Sequence, residues 1–75
     1  MVPYKNKSKK SGIAAYELSN DSIKIRFADG ETYLYTNEST GKDAVEQMKR
    51  LAVAGRGLSA YISQNVKDRF ADKLD

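Results

Sequence analysis

Cysteine and histidine are both absent from the 75-residue chain. Without cysteine there can be no disulfide, no thiolate zinc site and no thiol nucleophile. Without histidine the usual general base near neutral pH is missing, as is the commonest ligand for transition metals. A lysine or serine nucleophile would need an activating partner, and none is visible in the sequence. No apolar run approaches the roughly 20 residues of a membrane span, and no signal-peptide pattern follows Met1. The expectation is a non-catalytic cytoplasmic protein with no cofactor, no metal and no membrane attachment.

Acidic residues are missing from one stretch, which changes the meaning of the formal charge of +3. The first twelve residues hold Lys5, Lys7, Lys9 and Lys10 and no acid, whereas from Ile13 onward nine basic residues meet ten acidic ones. The basic character therefore belongs to the N-terminal segment. Residues 1–11 are expected to form a basic, disordered tail and residues 12–75 the one folded domain that this length allows. A core this small yields only about 3–5 kcal/mol of net stability, so nearly every large apolar residue is needed inside.

The folded part begins with two alternating segments, GIAAYEL and IKIRF, separated by the turn formers Ser19, Asn20, Asp21 and Ser22. With Asn20-Asp21 at the tip, Leu18 opposes Ile23, Tyr16 opposes Ile25 and Ala14 opposes Phe27. Glu17 then faces Lys24 on the other side as a cross-strand charge pair. A second turn follows at Ala28-Asp29-Gly30, and its length sets the next register. A two-residue turn at Asp29-Gly30 pairs Arg26 with Tyr33 and Lys24 with Tyr35, making an aromatic, basic platform on the open face. A three-residue loop with Gly30 in the left-handed region pairs Ile25 with Tyr33 and Ile23 with Tyr35 instead. Both cannot hold, because a one-residue shift turns every side chain over. Turn chemistry alone is nearly even between them. The needs of a small core favour the second, with both tyrosines inward and their hydroxyls at the sheet margin.

Beyond Tyr35 the polar run TNESTGKDA offers Ser39 or Thr40 as a helix cap. Ala44, Val45, Met48, Leu51 and Ala52 then recur at helical spacing over residues 41–54, and Gly55-Arg56-Gly57 stops the helix. Leu58, Tyr61, Ile62, Val66 and Phe70 mark a second amphipathic helix with Ser59 as its candidate cap. The fold predicted is α+β, a three-stranded antiparallel β-meander followed by two α-helices packed on one face (βββαα).

Several short motifs fail on context. Thr40-Gly41-Lys42-Asp43 looks like the end of a P-loop, but Thr36 stands in place of its first glycine and Asp43 in place of its Ser/Thr. Gly55-Arg56-Gly57-Leu58-Ser59-Ala60 follows a helix rather than a strand, so it is no dinucleotide fingerprint.

The pattern I-x-I-x-F-x-D-G-x-x-Y-x-Y from Ile23 to Tyr35, followed by A-G-R-G-L-S-A-Y-I from Ala54 to Ile62, resembles the KTSC domain. That small module is named for its place at the C-terminus of some lysyl-tRNA synthetases, and it also stands alone in bacterial and phage proteins. The resemblance runs from about Gly12 to Val66 and includes Tyr16 and the Gly55-Arg56 pair. The chain departs from the family pattern at Val53 and Ser59, where serine and asparagine are usual, and it lacks a valine-proline after the Y-x-Y strand. The resemblance implies an RNA-linked or adaptor role.

Two functions follow as expectations. The first is weak binding of RNA or DNA phosphates by Lys5, Lys7, Lys9 and Lys10, helped by Arg56 in the inter-helix loop and by Lys24 and Arg26 on the open sheet face. Arg56 has a competing structural role, capping the C-terminus of the preceding helix. The second is a protein-interaction or homodimerisation module that uses the sheet edge or an outer face bearing Ile13, Ala15 and Leu34.

Overall fold

The computed structural model describes residues 1–5 and 12–74. Among them five strands form one antiparallel sheet in sequence order: β1 (Val2–Pro3), β2 (Ile13–Ser19), β3 (Ser22–Phe27), β4 (Thr32–Thr36) and β5 (Asp72–Lys73). Between β4 and β5 lie α1 (Asn37–Thr40), α2 (Lys42–Ala54) and α3 (Leu58–Tyr61), the last continuing into a wider π-type turn over Ile62–Val66. The protein is thus α+β with an antiparallel sheet, as expected. It has two additional short strands at the sheet edges and a third, one-turn helix.

The β3–β4 turn is the three-residue form. Ile23 pairs with Tyr35 and Ile25 with Tyr33. Gly30 sits at φ 98° and donates its N–H to the Phe27 carbonyl at 2.9 Å. Tyr35 is consequently buried with Ile23 and Ile25, while Tyr33 is half-buried beside them.

The β2–β3 register matches expectation at Leu18–Ile23, Glu17–Lys24 and Tyr16–Ile25, then shifts at a bulge around Ala14. Ile13, not Ala14, therefore lies opposite Phe27. The extra residue turns Ile13 into the core, where it is 3% exposed. Ile13 is not on the outer face, contrary to the expectation above.

On the inner face, α2 buries Val45, Met48 and Ala52, and the α3 segment buries Leu58, Ile62 and Val66. The caps differ from those expected. Thr36 accepts from the Ser39 N–H at 3.0 Å while Ser39 Oγ accepts from the Thr36 N–H at 3.1 Å, a reciprocal box that closes α1. Gly41 then precedes α2 and Gly57 precedes α3, with Ser59 inside the helix. The second helix is also shorter than its apolar stripe, since Phe70 lies beyond the π-type turn that ends at Val66. Ring packing holds it there all the same, 4.7 Å from Tyr33 and 6.3 Å from Tyr35 between centroids.

The N-terminus departs most from the expected tail. Val2 and Pro3 pair with Tyr16 and Ala15, and Tyr4 is 6% exposed. Its ring packs edge-on to Tyr16 at 6.5 Å, and its hydroxyl accepts the Leu58 N–H at 3.3 Å. That N–H belongs to the first turn of α3 and has no helical carbonyl to bind. Residues 1–5 therefore belong to the folded unit rather than to a tail, and residues 6–11 lie outside the described set. The gain in buried area explains this: a domain with so few apolar residues recruits an aromatic ring from its basic segment.

Tyr4 should accordingly behave as a core residue. Tyr4→Ala should cost roughly 3–5 kcal/mol, and Tyr4→Phe about 1–3 kcal/mol from the Leu58 N–H left unpaired. Urea denaturation followed by circular dichroism measures both. A Tyr4→Ala variant that melts with the parent would show that the ring does not dock.

Candidate functional site

The expected cationic residues fall into two separate groups. Tyr4 brings Lys5 against the α2–α3 loop so closely that a Cβ at Gly55 would lie 2.7 Å from Lys5 Cβ. Gly55, at φ 79°, ends α2 by donating its N–H to the carbonyls of Leu51 and Ala52 at 2.9 and 3.2 Å. Glycine serves twice here, in the left-handed cap and at the close approach of Lys5. Because the Gly55 backbone fills the cap, the Arg56 side chain is not needed for it. Arg56 is exposed and forms no ion pair or hydrogen bond with the described residues. Lys5 is exposed beside it in the same sense. Lys7, Lys9 and Lys10 lie outside the described residues.

Lys24 and Arg26 alternate with the buried Ile23 and Ile25, so they project from the sheet face opposite the helices. Lys24 is engaged by Glu17 at 3.4 Å across β2 and β3. Arg26, between Ala15 and Thr32, is exposed. The structure therefore brings Lys5 and Arg56 together and leaves Lys24 and Arg26 on the other face.

A second feature was only partly visible in the sequence. The half-buried rings of Phe27, Tyr33 and Phe70 wall an open cleft of about 290 Å³ at one end of the inner face. Tyr35 lines it, and Ser59, Ser63, Lys67 and Asp68 are its polar lining. An adjoining cleft of about 460 Å³ shares the Phe27 and Tyr33 rings and reaches Gly12 and Glu31. Phe27 and Tyr33 meet edge-to-face at 5.5 Å, so they form a ridge between the two. Strand alternation announced Phe27 and Tyr33, and helical spacing announced Phe70. The cleft arises from the three-residue turn and from Phe70, which packs from outside any helix.

The phenols in this region are electrostatically distinct. Tyr33 donates to Glu31 Oε2 at 2.6 Å, and Lys73 Nζ approaches the same oxygen at 3.2 Å. Hydrogen bonding by Tyr33, then by Lys73, holds the Glu31 carboxyl below its ordinary range, while the carboxylate raises the Tyr33 phenol. Burial pushes the Tyr35 phenol up to about 12, with smaller contributions from Tyr33 and Asp68. The Tyr35 hydroxyl makes no hydrogen bond to a described residue.

The signs of these shifts fix the direction of two pH effects. Glu31 contributes stability that is present above the ordinary carboxylate value of 4.5 and is lost as pH falls through its depressed folded value. Tyr35 contributes stability that is full below the ordinary phenol value of 10.0 and is lost as pH rises from there through about 12. Glu31→Gln should flatten the acid decline and Tyr35→Phe the alkaline one, both read as urea midpoints across a pH series. Equal alkaline declines in Tyr35→Phe and the parent would show that Tyr35 ionises as freely in the folded protein as in the unfolded chain.

No helix among the described residues is long and apolar enough to cross a membrane. In comparisons with known proteins, no family model matches the chain, and no curated protein or solved structure matches it either.

Proposed function

We propose that this chain is a small, non-catalytic accessory module of the cytoplasm that binds nucleic acid, RNA foremost, by weak contacts to phosphates. The packing of Lys5 on Gly55 carries the reading, because it sets that lysine against the loop that exposes Arg56. A guanidinium with no partner among the described residues, flanked by two glycines, is suited to bidentate binding of a phosphate. Lys7, Lys9 and Lys10 follow in sequence and add charge without acid. The KTSC-like pattern, with its link to lysyl-tRNA synthetases, agrees in kind with an RNA-associated role, and membership of that family is part of the proposal. Lys24 and Arg26 stand apart from the core of the interface, since they occupy the opposite face and Lys24 is already paired. The protein-interaction reading loses one of its two large apolar members with Ile13 buried.

Binding should be in the range of about 10⁻⁴–10⁻⁶ M at physiological salt and fall steeply as salt is added. Arg56→Ala and Lys5→Ala should each weaken it and reduce the log–log salt slope by about 1. Lys24→Ala, on the far face, should leave the slope unchanged. Fluorescence anisotropy with labelled RNA across a salt series checks all three. Binding indifferent to salt, or no binding together with a concentration-dependent dimer in sedimentation, would overturn the proposal and favour the sheet-edge interaction module.

A further inference from the structure

We propose that the N-terminal segment orders the phosphate site. By holding the Gly55-Arg56-Gly57 loop on both sides of Arg56, Tyr4 and Lys5 make docking of the segment and binding of a phosphate strengthen one another. This inference rests on the reading above and adds the way in which that site is controlled.

The loop needs an external hold. Arg56 stands between two glycines, Gly55 at φ 79° and Gly57 at φ 81°. Glycine gives up more backbone freedom on being fixed than any other residue, so such a loop is costly to order. Gly55 is tied to α2 through its N–H, and the Gly57 carbonyl accepts the Tyr61 N–H of α3 at 3.0 Å. Neither bond crosses from one helix to the other.

The N-terminal segment does cross. Tyr4 and Lys5 are neighbours in sequence, yet they reach opposite flanks of Arg56. A Cβ at Gly55, just before Arg56, would lie 2.7 Å from Lys5 Cβ. The Tyr4 hydroxyl accepts the N–H of Leu58, just beyond Gly57, at 3.3 Å. This hold is anchored from behind. Tyr4 is 6% exposed, its ring meets Tyr16 edge-on, and its own N–H donates to the Ala14 carbonyl at 3.0 Å. Val2 and Pro3 add a strand of only two residues with exposed side chains. Docking of the segment therefore depends on Tyr4, and the form of the loop depends on that docking.

The hold does not cover the guanidinium, since Arg56 is exposed. It removes loop freedom that a phosphate would otherwise remove on binding, and preorganisation of that kind raises affinity without any new contact. The coupling is reciprocal: a phosphate on Arg56 and Lys5 favours the docked segment by the same factor as docking favours the phosphate. Tyr4 is thus a positioning residue that acts through Arg56.

Tyr4→Phe keeps the ring and removes the acceptor. At a temperature where circular dichroism shows the variant folded, ¹⁵N relaxation of the full chain should reveal added motion at Gly55, Arg56 and Gly57, with the Ile23 and Ile25 amides unchanged. Its affinity for labelled RNA should fall about 5-fold, as for one neutral hydrogen bond. The log–log salt slope should stay the same, because no cation is lost. In an Arg56→Ala background Tyr4→Phe should have no further effect, as expected of residues that act as one unit. In the parent protein, RNA should shift the buried Tyr4 ring resonances, a readout that does not require the variant to fold. An affinity loss that is equal with and without Arg56, or added motion that reaches Ile23 and Ile25, would give Tyr4 a merely structural role and overturn the proposal. Loop amides unchanged in Tyr4→Phe, or bound RNA that leaves the Tyr4 ring unmoved, would overturn it as well. Added motion confined to the loop, in a protein that binds no RNA, would support the ordering of the loop by Tyr4 and overturn the phosphate reading.

Discussion

The length of the turn between β3 and β4 determines which face every side chain of β4 occupies. A strand has a side-chain period of two, so one residue more or fewer at Ala28-Asp29-Gly30 would exchange Tyr33 and Tyr35 for Leu34 in the core. The three-residue turn depends on Gly30 at φ 98°, a conformation most residues reach only with strain. Once it is set, the tyrosines join Ile23 and Ile25 beneath the helices, and Lys24 and Arg26 are left on the solvent face. The rest of the architecture then becomes a matter of covering the inner face.

Covering that face takes more apolar surface than the meander and helices hold. The shortage explains why both ends of the described chain are drawn onto the sheet. Tyr4 completes one side of the core against Tyr16 and supplies the acceptor that the Leu58 N–H lacks. At the other side Phe70 packs on Tyr33 and Tyr35, and β5 closes the edge of β4. The hydroxyl of Thr40 donates to the Arg69 carbonyl at 2.5 Å, which ties the turn after the helices to α1. Each of these contacts joins segments far apart in sequence, and each fills a gap that local structure leaves open.

This division between local and distant contacts accounts for what was legible in the sequence. Alternation and helical spacing report which face of an element is apolar, so the α+β class, the β3–β4 register and the buried stripe of α2 could all be read. The bulge at Ala14 could not, because nothing in IAAYEL marks which alanine is extra, and that one residue moved Ile13 from the outer face to the core. The docking of Tyr4 was hidden by its neighbours: a lone ring in a lysine-rich stretch carries no period. For the site, Lys5 and Arg56 were recognisable as candidate phosphate contacts, but their proximity follows from Tyr4. The distance of Lys24 and Arg26 from them follows from the turn. The cleft was the least legible part, since it is the space between rings contributed by three separate segments.

The same geometry separates charge from aromatic surface by a physical rule. Outward positions of the sheet carry Lys24 with Glu17 as a cross-strand pair in water, a contact of little energetic weight that leaves that face near electrical balance. Inward positions carry tyrosines, whose rings are buried while their hydroxyls reach the margin. Tyr33 finds an acceptor there in Glu31, but Tyr35 is set deeper and finds none among the described residues. A small core obliged to use tyrosine where a larger one could use leucine must place each phenol at a polar boundary or leave it unpaired. The open cleft that Phe27, Tyr33 and Phe70 wall beside Tyr35 is therefore a consequence of how the core is built.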